Sequence, residues 1–183
     1  GFNGALASAI PGMIDLFRLA GVTWARIHGE QPTAWFRTRL LTEDGEPCRC
    51  INGVTLLADG SWQDIDELGA DDLLIIATIG APIDEVLQTK PLLIQWLSKF
   101  QTATPGDVRV ASNCTGAFLL AEAGLLDDKT ATTHWGFSQQ FRHHYPQVKL
   151  NERELITRDG NIFCAGGGTA WRDLTILLVE RYC

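Results

Sequence analysis

The stretch that decides the fold is Arg109-Val-Ala-Ser-Asn-Cys114-Thr-Gly-Ala-Phe-Leu-Leu120. It contains a short apolar run, a sharp turn that carries one cysteine, and a run of helix-forming residues that follows at once. This pattern predicts a strand, a turn and a helix, with the thiol of Cys114 between the strand and the helix. The free N–H groups and the dipole at a helix start favour thiolate over thiol. The arrangement is that of a nucleophile elbow with Cys in place of Ser.

The composition is typical of one globular domain. The chain has 183 residues, of which 45% are hydrophobic and 20% are charged, and this length is sufficient for a sizeable core. The formal net charge of -7 argues against binding of nucleic acid or an anionic membrane by these residues. No apolar run approaches the roughly 20 residues of a membrane helix, and no signal-peptide pattern is visible at the start. We therefore expect a cytoplasmic protein without a membrane partner.

The five cysteines indicate no metal site and no disulfide framework. Their number is odd and their spacing irregular, and Cys48-x-Cys50 lacks the Cys-x-x-Cys spacing of structural zinc sites. We expect reduced thiols, no metal and no cofactor.

Hydrophobic periodicity and turn signals predict strands that alternate with helices. The predicted strands are Thr23–His28, Trp35–Thr42, a hairpin within Cys48–Leu57 around Asn52-Gly53, Leu73–Ala77, Val108–Ala111, Thr130–Thr133, and a hairpin of Leu155–Thr157 with Ile162–Cys164. The predicted helices are Pro11–Ala20, Lys90–Phe100, Thr115–Gly124, Trp135–His144 and Ala170–Tyr182. The continuous apolar run Leu73–Ala77 is typical of a strand buried on both faces of a parallel sheet. Together these elements predict an α/β three-layer sandwich.

The two ends of the chain suggest a piece of a longer polypeptide. This fold normally opens with a buried strand, whereas this chain opens with a Gly-rich loop at Gly1–Gly4. The last residue, Cys183, falls within a helical pattern. We therefore expect that a first strand is missing from residues 1–183, which otherwise form one domain.

Two motifs carry a resemblance to a known family. Cys114–Leu126 and Ala131–Trp135 closely resemble the PfpI-like domain of the class I glutamine amidotransferase-like superfamily. More narrowly, they are similar to the N-terminal sensor domain of GlxA-type regulators in the AraC transcription-factor family. Ala5–Ser8, Gly12–Phe17 and Asp173-Leu174 match as well. The resemblance implies a flavodoxin-like fold with a mostly parallel sheet, a homodimer, and a helix-turn-helix DNA-binding domain beyond Cys183.

The resemblance and the elbow together suggest a site around Cys114. The backbone N–H of Thr115 and one from the Ile79-Gly80 loop could form an anion pocket beside the sulfur. His134 follows a short strand about 20 residues after Cys114, where members of the superfamily often place a histidine near the thiol. It could take the thiol proton or orient a ligand, or it could simply cap a helix.

The expected acidic partner of the thiol is absent from the sequence. Catalytic relatives use a Glu or Asp near the start of the first helix, but the segment from Phe2 to Gly12 contains no acid, and Ser8 or Ala9 stands at that position. A serine hydroxyl can hydrogen-bond a ligand but is no general base at neutral pH. This difference favours binding over turnover.

We therefore predict a ligand-sensing domain of an AraC-family regulator that binds a small metabolite, nitrogenous or derived from an amino acid by family analogy. The predicted ligand-binding residues are Ser8, Ile79, Gly80, Cys114, Thr115 and His134. Two alternatives stay open. One is a hydratase-, amidase- or deglycase-like enzyme in which Cys114 attacks and His134 handles protons. The other is a redox sensor in which Cys114 forms a sulfenic acid.

Overall fold

A computed structural model of the chain describes residues 1–103 and 107–183. The strands are β1 Leu41–Thr42, β2 Cys48–Arg49, β3 Thr55–Leu56, β4 Gly60–Ser61, β5 Leu73–Ile76, β6 Arg109–Asn113, β7 Thr130–Ala131, β8 Lys149–Leu150, β9 Ile156–Asp159 and β10 Ile162–Ala165. The α-helices are α1 Ala9–Leu19, α2 Thr23–Ile27, α3 Ile83–Thr89, α4 Pro91–Ser98, α5 Ala117–Glu122, α6 Ser138–His144 and α7 Ala170–Tyr182. Short 3-10 turns cover Cys114–Gly116 and Trp135–Phe137.

The central sheet has the strand order β5-β6-β10-β9. β5, β6 and β10 run parallel to one another, and β9 joins β10 as an antiparallel hairpin partner. Three short two-stranded pairs, β1-β4, β2-β3 and β7-β8, lie outside it.

Helices cover both faces of this sheet. The side chains of β5 alternate between two apolar clusters: Leu74 packs on the larger one together with Leu97 of α4 and Phe118 of α5. Leu73 packs on the smaller one, which contains Leu174 of α7 as well as residues of α1. Each such side chain contributes about 1.5–3 kcal/mol when fully buried. The prediction of an α/β flavodoxin-like three-layer sandwich with a mostly parallel sheet is confirmed.

Both predicted hairpins form. Cys48–Arg49 pairs antiparallel with Thr55–Leu56 around the Asn52-Gly53 turn, where Gly53 takes the positive φ of +85° that this turn requires. The second hairpin joins β9 to β10 across Asp159 and Gly160.

Some element predictions were wrong. Thr23–His28 is not a strand, since Thr23–Ile27 forms a short helix. The described residues place no strand edge beside this segment, and a helix satisfies its backbone locally whereas an unpaired strand cannot. Of the predicted strand Trp35–Thr42, only Leu41–Thr42 pairs. Helix α3 was missed.

The apolar strand β5 is less buried than its sequence indicates. Leu73, Leu74 and Ile75 are only half-buried, and Ile76 is buried. The reason is topological, because β5 lies at the edge of the described sheet.

None of the helices in the described part of the chain combines the length and the apolar character that a membrane span needs.

Candidate functional site

Cys114 lies at the tight turn between β6 and the helical segment that follows. Its φ is +55°, a value that only a few per cent of non-glycine residues adopt. The turn is possible because residue 116 is a glycine: a Cβ there would lie 2.6 Å from the carbonyl oxygen of Ala77. The strand, the turn and the helix predicted around Cys114 are therefore present, and the side chain is buried at 8% exposure.

Three hydrogen bonds hold this turn against its neighbours. The Thr115 hydroxyl donates to the carbonyl of Ile79 at 2.8 Å, and the Thr133 hydroxyl donates to the carbonyl of Cys114 at 3.0 Å. The Asn113 amide donates to the hydroxyl of Thr78 at 2.6 Å. The end of β6 is thereby tied to the loop after β5 and to the segment that leads to His134. Such a network fixes the thiol in one position.

The thiol of Cys114 is held in its neutral form. Burial raises the pKa of Cys114, and the hydrogen bonds from Thr115 and from the backbone N–H of Gly168 oppose that shift only in part. The expected effect of the helix start is present, since the backbone N–H of Thr115 lowers the pKa of Cys114, but burial outweighs it. The dipole of a short helix is a small effect beside the loss of solvation that burial imposes on a charged sulfur.

His134 acts as a cap. Its Nδ1 accepts the backbone N–H of Gly136 at 3.0 Å, at the start of the 3-10 turn, so the neutral ring carries its proton on Nε2. The ring packs tightly on Gly167, where a Cβ would lie 2.2 Å from its Cδ2. No hydrogen bond joins the ring to the sulfur of Cys114 among the described residues. The two are linked indirectly, because Gly167 packs on His134 while the adjacent Gly168 donates toward Cys114.

Of the predicted anion-pocket amides, that of Gly80 is already engaged. Its N–H donates to the carbonyl of Gly4 at 2.8 Å, and a Cβ on Gly80 would lie 2.5 Å from the side chain of Ile51. The N–H of Ile79 makes no backbone hydrogen bond within the described parts of the chain. Of these two amides, only that of Ile79 is without a backbone acceptor among the described residues.

Ser8 lies at the start of α1, where it is exposed and its side chain makes no capping hydrogen bond. The N–H of Leu6 donates to the carbonyl of Thr78 at 3.0 Å, which places the start of α1 near the carboxyl end of β5. Burial, Thr115 and Gly168 act on the pKa of Cys114, and no carboxylate is among the described groups that do so. No group of three His, Cys, Asp or Glu residues suited to a metal ion occurs among the described residues.

Sequence reasoning missed part of this frame. Four residues that contribute hydrogen bonds around Cys114 were missed: Thr78, Asn113, Thr133 and Gly168. Their signal in the sequence was their place at strand ends or in a glycine-rich loop. Sequence reasoning also missed a cleft of about 530 Å³, which lies along β5. None of the six predicted ligand-binding residues lines that cleft.

The fold is an α/β sandwich, and a buried cysteine lies on a positive-φ turn at the carboxyl end of a parallel strand. These two features define a class of proteins with a cysteine elbow. Within that class the chain belongs to the DJ-1/PfpI family, whose family model matches residues 20–181.

Comparisons with individual proteins agree with this assignment. The chain is 32% identical over 172 residues to the HTH-type transcriptional regulator CdhR of Pseudomonas aeruginosa, an alignment that covers 94% of this chain and 48% of CdhR. It is 39% identical over 73 residues to isonitrile hydratase of Pseudomonas putida, covering 39% of this chain and 30% of that enzyme. The crystal structure of an AraC family transcriptional regulator from Pseudomonas putida superposes with a TM-score of 0.73 at 18% identity, covering 99% of this chain and 88% of that one. The chain thus spans about half the length of CdhR, and the structural likeness shows the fold.

Proposed function

We propose that residues 1–183 are the ligand-sensing domain of an AraC-family transcriptional regulator. The observation that carries this proposal is the 32% identity to the regulator CdhR across 94% of the chain. The net charge of -7 suits a domain that does not itself grip DNA. In this proposal DNA binding resides in a helix-turn-helix domain beyond Cys183, and the regulator works as a homodimer in the cytoplasm.

The proposed ligand site is the region around Cys114. The carboxyl ends of parallel strands are where open α/β sheets bind ligands, and β5 and β6 both end there. Ile79 offers an N–H without a backbone partner, and His134 carries its proton on Nε2, so the region has donors for a small nitrogenous metabolite with acceptor atoms. Ser8, Gly80 and Thr115 border the same strand ends.

A neutral thiol without a carboxylate partner supports binding over turnover. A cysteine nucleophile requires the thiolate, which a nearby base or cation normally provides. Burial raises the pKa of Cys114, and none of the described groups that act on this pKa is a cation or a general base. Ligand binding would act by favouring one arrangement of the two subunits and their DNA-binding domains.

A gel-shift titration of the native polypeptide on its upstream DNA tests the proposal. We expect a metabolite from a panel of amino acids, betaines and amines to change the apparent DNA affinity at least about tenfold, a coupling within the usual range. Thr115→Val should abolish that change, whereas Cys183→Ser, at an exposed thiol, should preserve it. A native polypeptide that binds no DNA would contradict the proposal. Light scattering then tests the homodimer.

A cysteine-dependent hydratase is the second candidate, and the 39% identity to isonitrile hydratase favours it. In that case the sulfur of Cys114 attacks the substrate carbon, His134 transfers the proton, and the N–H groups of Thr115 and Ile79 hold the developing negative charge. Turnover of an isonitrile that disappears in Cys114→Ser would support this candidate over the regulator.

A further inference from the structure

Cys48 and Cys50 form a pair of buried thiols that the candidate site at Cys114 does not use. Cys48 lies in β2 and Cys50 directly follows it, and they are only 2% and 3% exposed, whereas Arg49 between them is exposed. Because side chains alternate across an extended strand, this burial pattern places both sulfurs on the same, inner face. The hairpin therefore brings two soft ligand atoms to one place.

The two thiols act on each other. The pKa of Cys50 is raised by burial and then by Cys48, through its charge and through a side-chain hydrogen bond. The sulfur of Cys48 faces the first residues of the chain, since a Cβ on Gly1 would lie 3.2 Å from that sulfur and 2.9 Å from a methyl carbon of Leu40. The two sulfurs are therefore neighbours in surroundings that include apolar groups.

The backbone around the pair is held on both sides. The N–H of Cys50 donates to the carbonyl of Val54 at 2.8 Å, and the N–H of Gly53 donates to the carbonyl of Cys50 at 3.0 Å. From the other side, the N–H of Gly4 donates to the carbonyl of Arg49 at 3.0 Å. The hairpin thus sets the spacing of the two thiols before any ligand arrives, which lowers the entropy lost on binding.

This spacing suits an ion between the sulfurs better than a disulfide. Residues two apart on an extended strand have Cα atoms about 6.6 Å apart, whereas disulfides are most common at about 5.5–6 Å. A disulfide also brings the sulfurs to about 2 Å from each other, so the strand would have to contract. An ion with metal–sulfur bonds of about 2.3 Å holds sulfurs on its opposite sides about 4.6 Å apart, and the strand can stay extended.

The number of ligands selects the kind of ion. Structural zinc sites have four ligands, and the described part of the chain contains no group of three His, Cys, Asp or Glu residues suited to a metal. The prediction of no metal was based on the spacing of zinc ligands, but an ion that takes two ligands needs only this pair. Thiolates select soft cations, and the d10 ions Cu(I) and Hg(II) accept two thiolates in a linear arrangement. The complex of Hg(II) with two thiolates has no net charge, which suits a buried site.

We propose that Cys48 and Cys50 together bind one soft d10 cation between their sulfurs, as a site separate from that at Cys114. Each thiol releases its proton to solvent as its bond to the metal forms, and no oxidant or reductant takes part. The ion enters at the tip of the hairpin, where Ile51 and Asn52 are exposed directly beside Cys50.

Native mass spectrometry of the native polypeptide with mercuric chloride as the probe and excess glutathione as the competitor tests the proposal. Two linked thiolates resist a monothiol, because the second bond forms at an effective concentration of millimolar order. We expect the unmodified protein to retain one Hg(II) that Cys48→Ala and Cys50→Ala each bind at least about a hundredfold more weakly. Cys183→Ala removes an exposed thiol and is the matched control, which should retain the ion. No retention by the unmodified protein, or equal retention by all three variants, would overturn the proposal.

Peptide mapping of the loaded, unmodified protein gives a second measurement that does not depend on the folding of the variants. Cleavage after Glu43 and Glu67 yields the peptide 44–67, in which Cys48 and Cys50 are the only cysteines. We expect Hg(II) on this peptide without a bound glutathione. An ion found on another peptide, or a mixed adduct of one protein thiolate and one glutathione, would contradict binding between the two sulfurs. Retention of Zn(II) by the same peptide would also overturn the assignment to a two-coordinate soft ion.

Discussion

The neighbouring strands β5 and β6 differ in how completely they are surrounded. β6 is paired on both sides, its residues from Val110 to Asn113 are buried, and it ends at Cys114 within a network of hydrogen bonds. Among the described residues, β5 is paired on one side only, and its other side faces a cleft lined by both apolar and polar side chains. The comparison teaches that the frame of the candidate site rests on β6 and on the buried carboxyl end of β5, whereas the residues at the start of β5 are only half-buried beside the cleft.

The largest difference in unfolding free energy is expected between a core residue that packs behind β6 and a residue of β5. Phe118, fully buried in the helix behind Cys114 and 4.9 Å from the ring of Phe141, should lose about 3–5 kcal/mol of unfolding free energy on Phe118→Ala. Leu73→Ala should lose less than about 2 kcal/mol in residues 1–183, because Leu73 is only half-buried. Urea unfolding measures both. Equal losses would contradict the comparison.

The second test concerns the close approach at the elbow. Gly116→Ala places a Cβ 2.6 Å from the carbonyl oxygen of Ala77 and 3.0 Å from that of Ile76, both rigid backbone atoms. We expect a loss of about 1–3 kcal/mol, the usual range for overpacking. Gly69→Ala is the control, because no atom lies within 4 Å of the added carbon. A stable Gly116→Ala variant would show that the turn can move away from β5.

The third test removes one hydrogen bond of the elbow. Thr115→Val leaves the carbonyl of Ile79 without its hydroxyl donor, and we expect a loss of about 1–2 kcal/mol. The backbone N–H of Thr115 and, to a smaller extent, its side chain also lower the pKa of Cys114, so loss of the hydroxyl should raise that pKa slightly. Thr115→Ser keeps the hydroxyl and should restore both properties. Thiol titration measures the pKa of Cys114, and urea unfolding measures the stability. An unchanged pKa would show that the Thr115 hydroxyl does not act on the thiol.

The smallest effect is expected in the dependence of stability on pH. Burial raises the pKa of Cys114 in the folded chain. As pH rises through the ordinary thiol range, the unfolded chain loses its proton first, so the unfolding free energy decreases toward alkaline pH. Burial raises the pKa of Cys50 and Cys164 as well, with the same sign. Cys114→Ala should show a shallower decrease between pH 7 and pH 9.5 than the unmodified chain, and an identical slope would contradict a buried neutral thiol.

The sequence predicted the central elements because their signals are local. The alternation of apolar runs, the Asn52-Gly53 turn and the Cys114-Thr115-Gly116 motif each depend on a few adjacent residues, and each formed as predicted. The strand prediction was wrong for Thr23–His28 and only partly right for Trp35–Thr42, because a strand forms only where a partner edge is available. Its residues can favour an extended backbone without supplying that edge.

The placement of Cys114 and its neighbours was predictable from the sequence, but their electrostatics were not. Cys114 and Thr115 stand as the motif indicates, and the Gly166–Gly168 loop brings His134 into the same neighbourhood. The state of the thiol depends on its burial and on a hydrogen bond from the backbone of Gly168, far along the chain, and no local pattern reports either of them. The occupied N–H of Gly80 likewise depends on Gly4, which is 76 positions away in the sequence.

The backbone conformation at Cys114 has a consequence for chemical synthesis of this protein. A φ of +55° lies in the region that mirror-image amino acids prefer, and Asp128 at +59° is the other non-glycine residue in that region among those described. A D-cysteine placed at position 114 by peptide ligation would relax the main chain while it aims the sulfur along a different vector. The natural L-cysteine therefore sets the direction of the sulfur at the cost of backbone strain at residue 114.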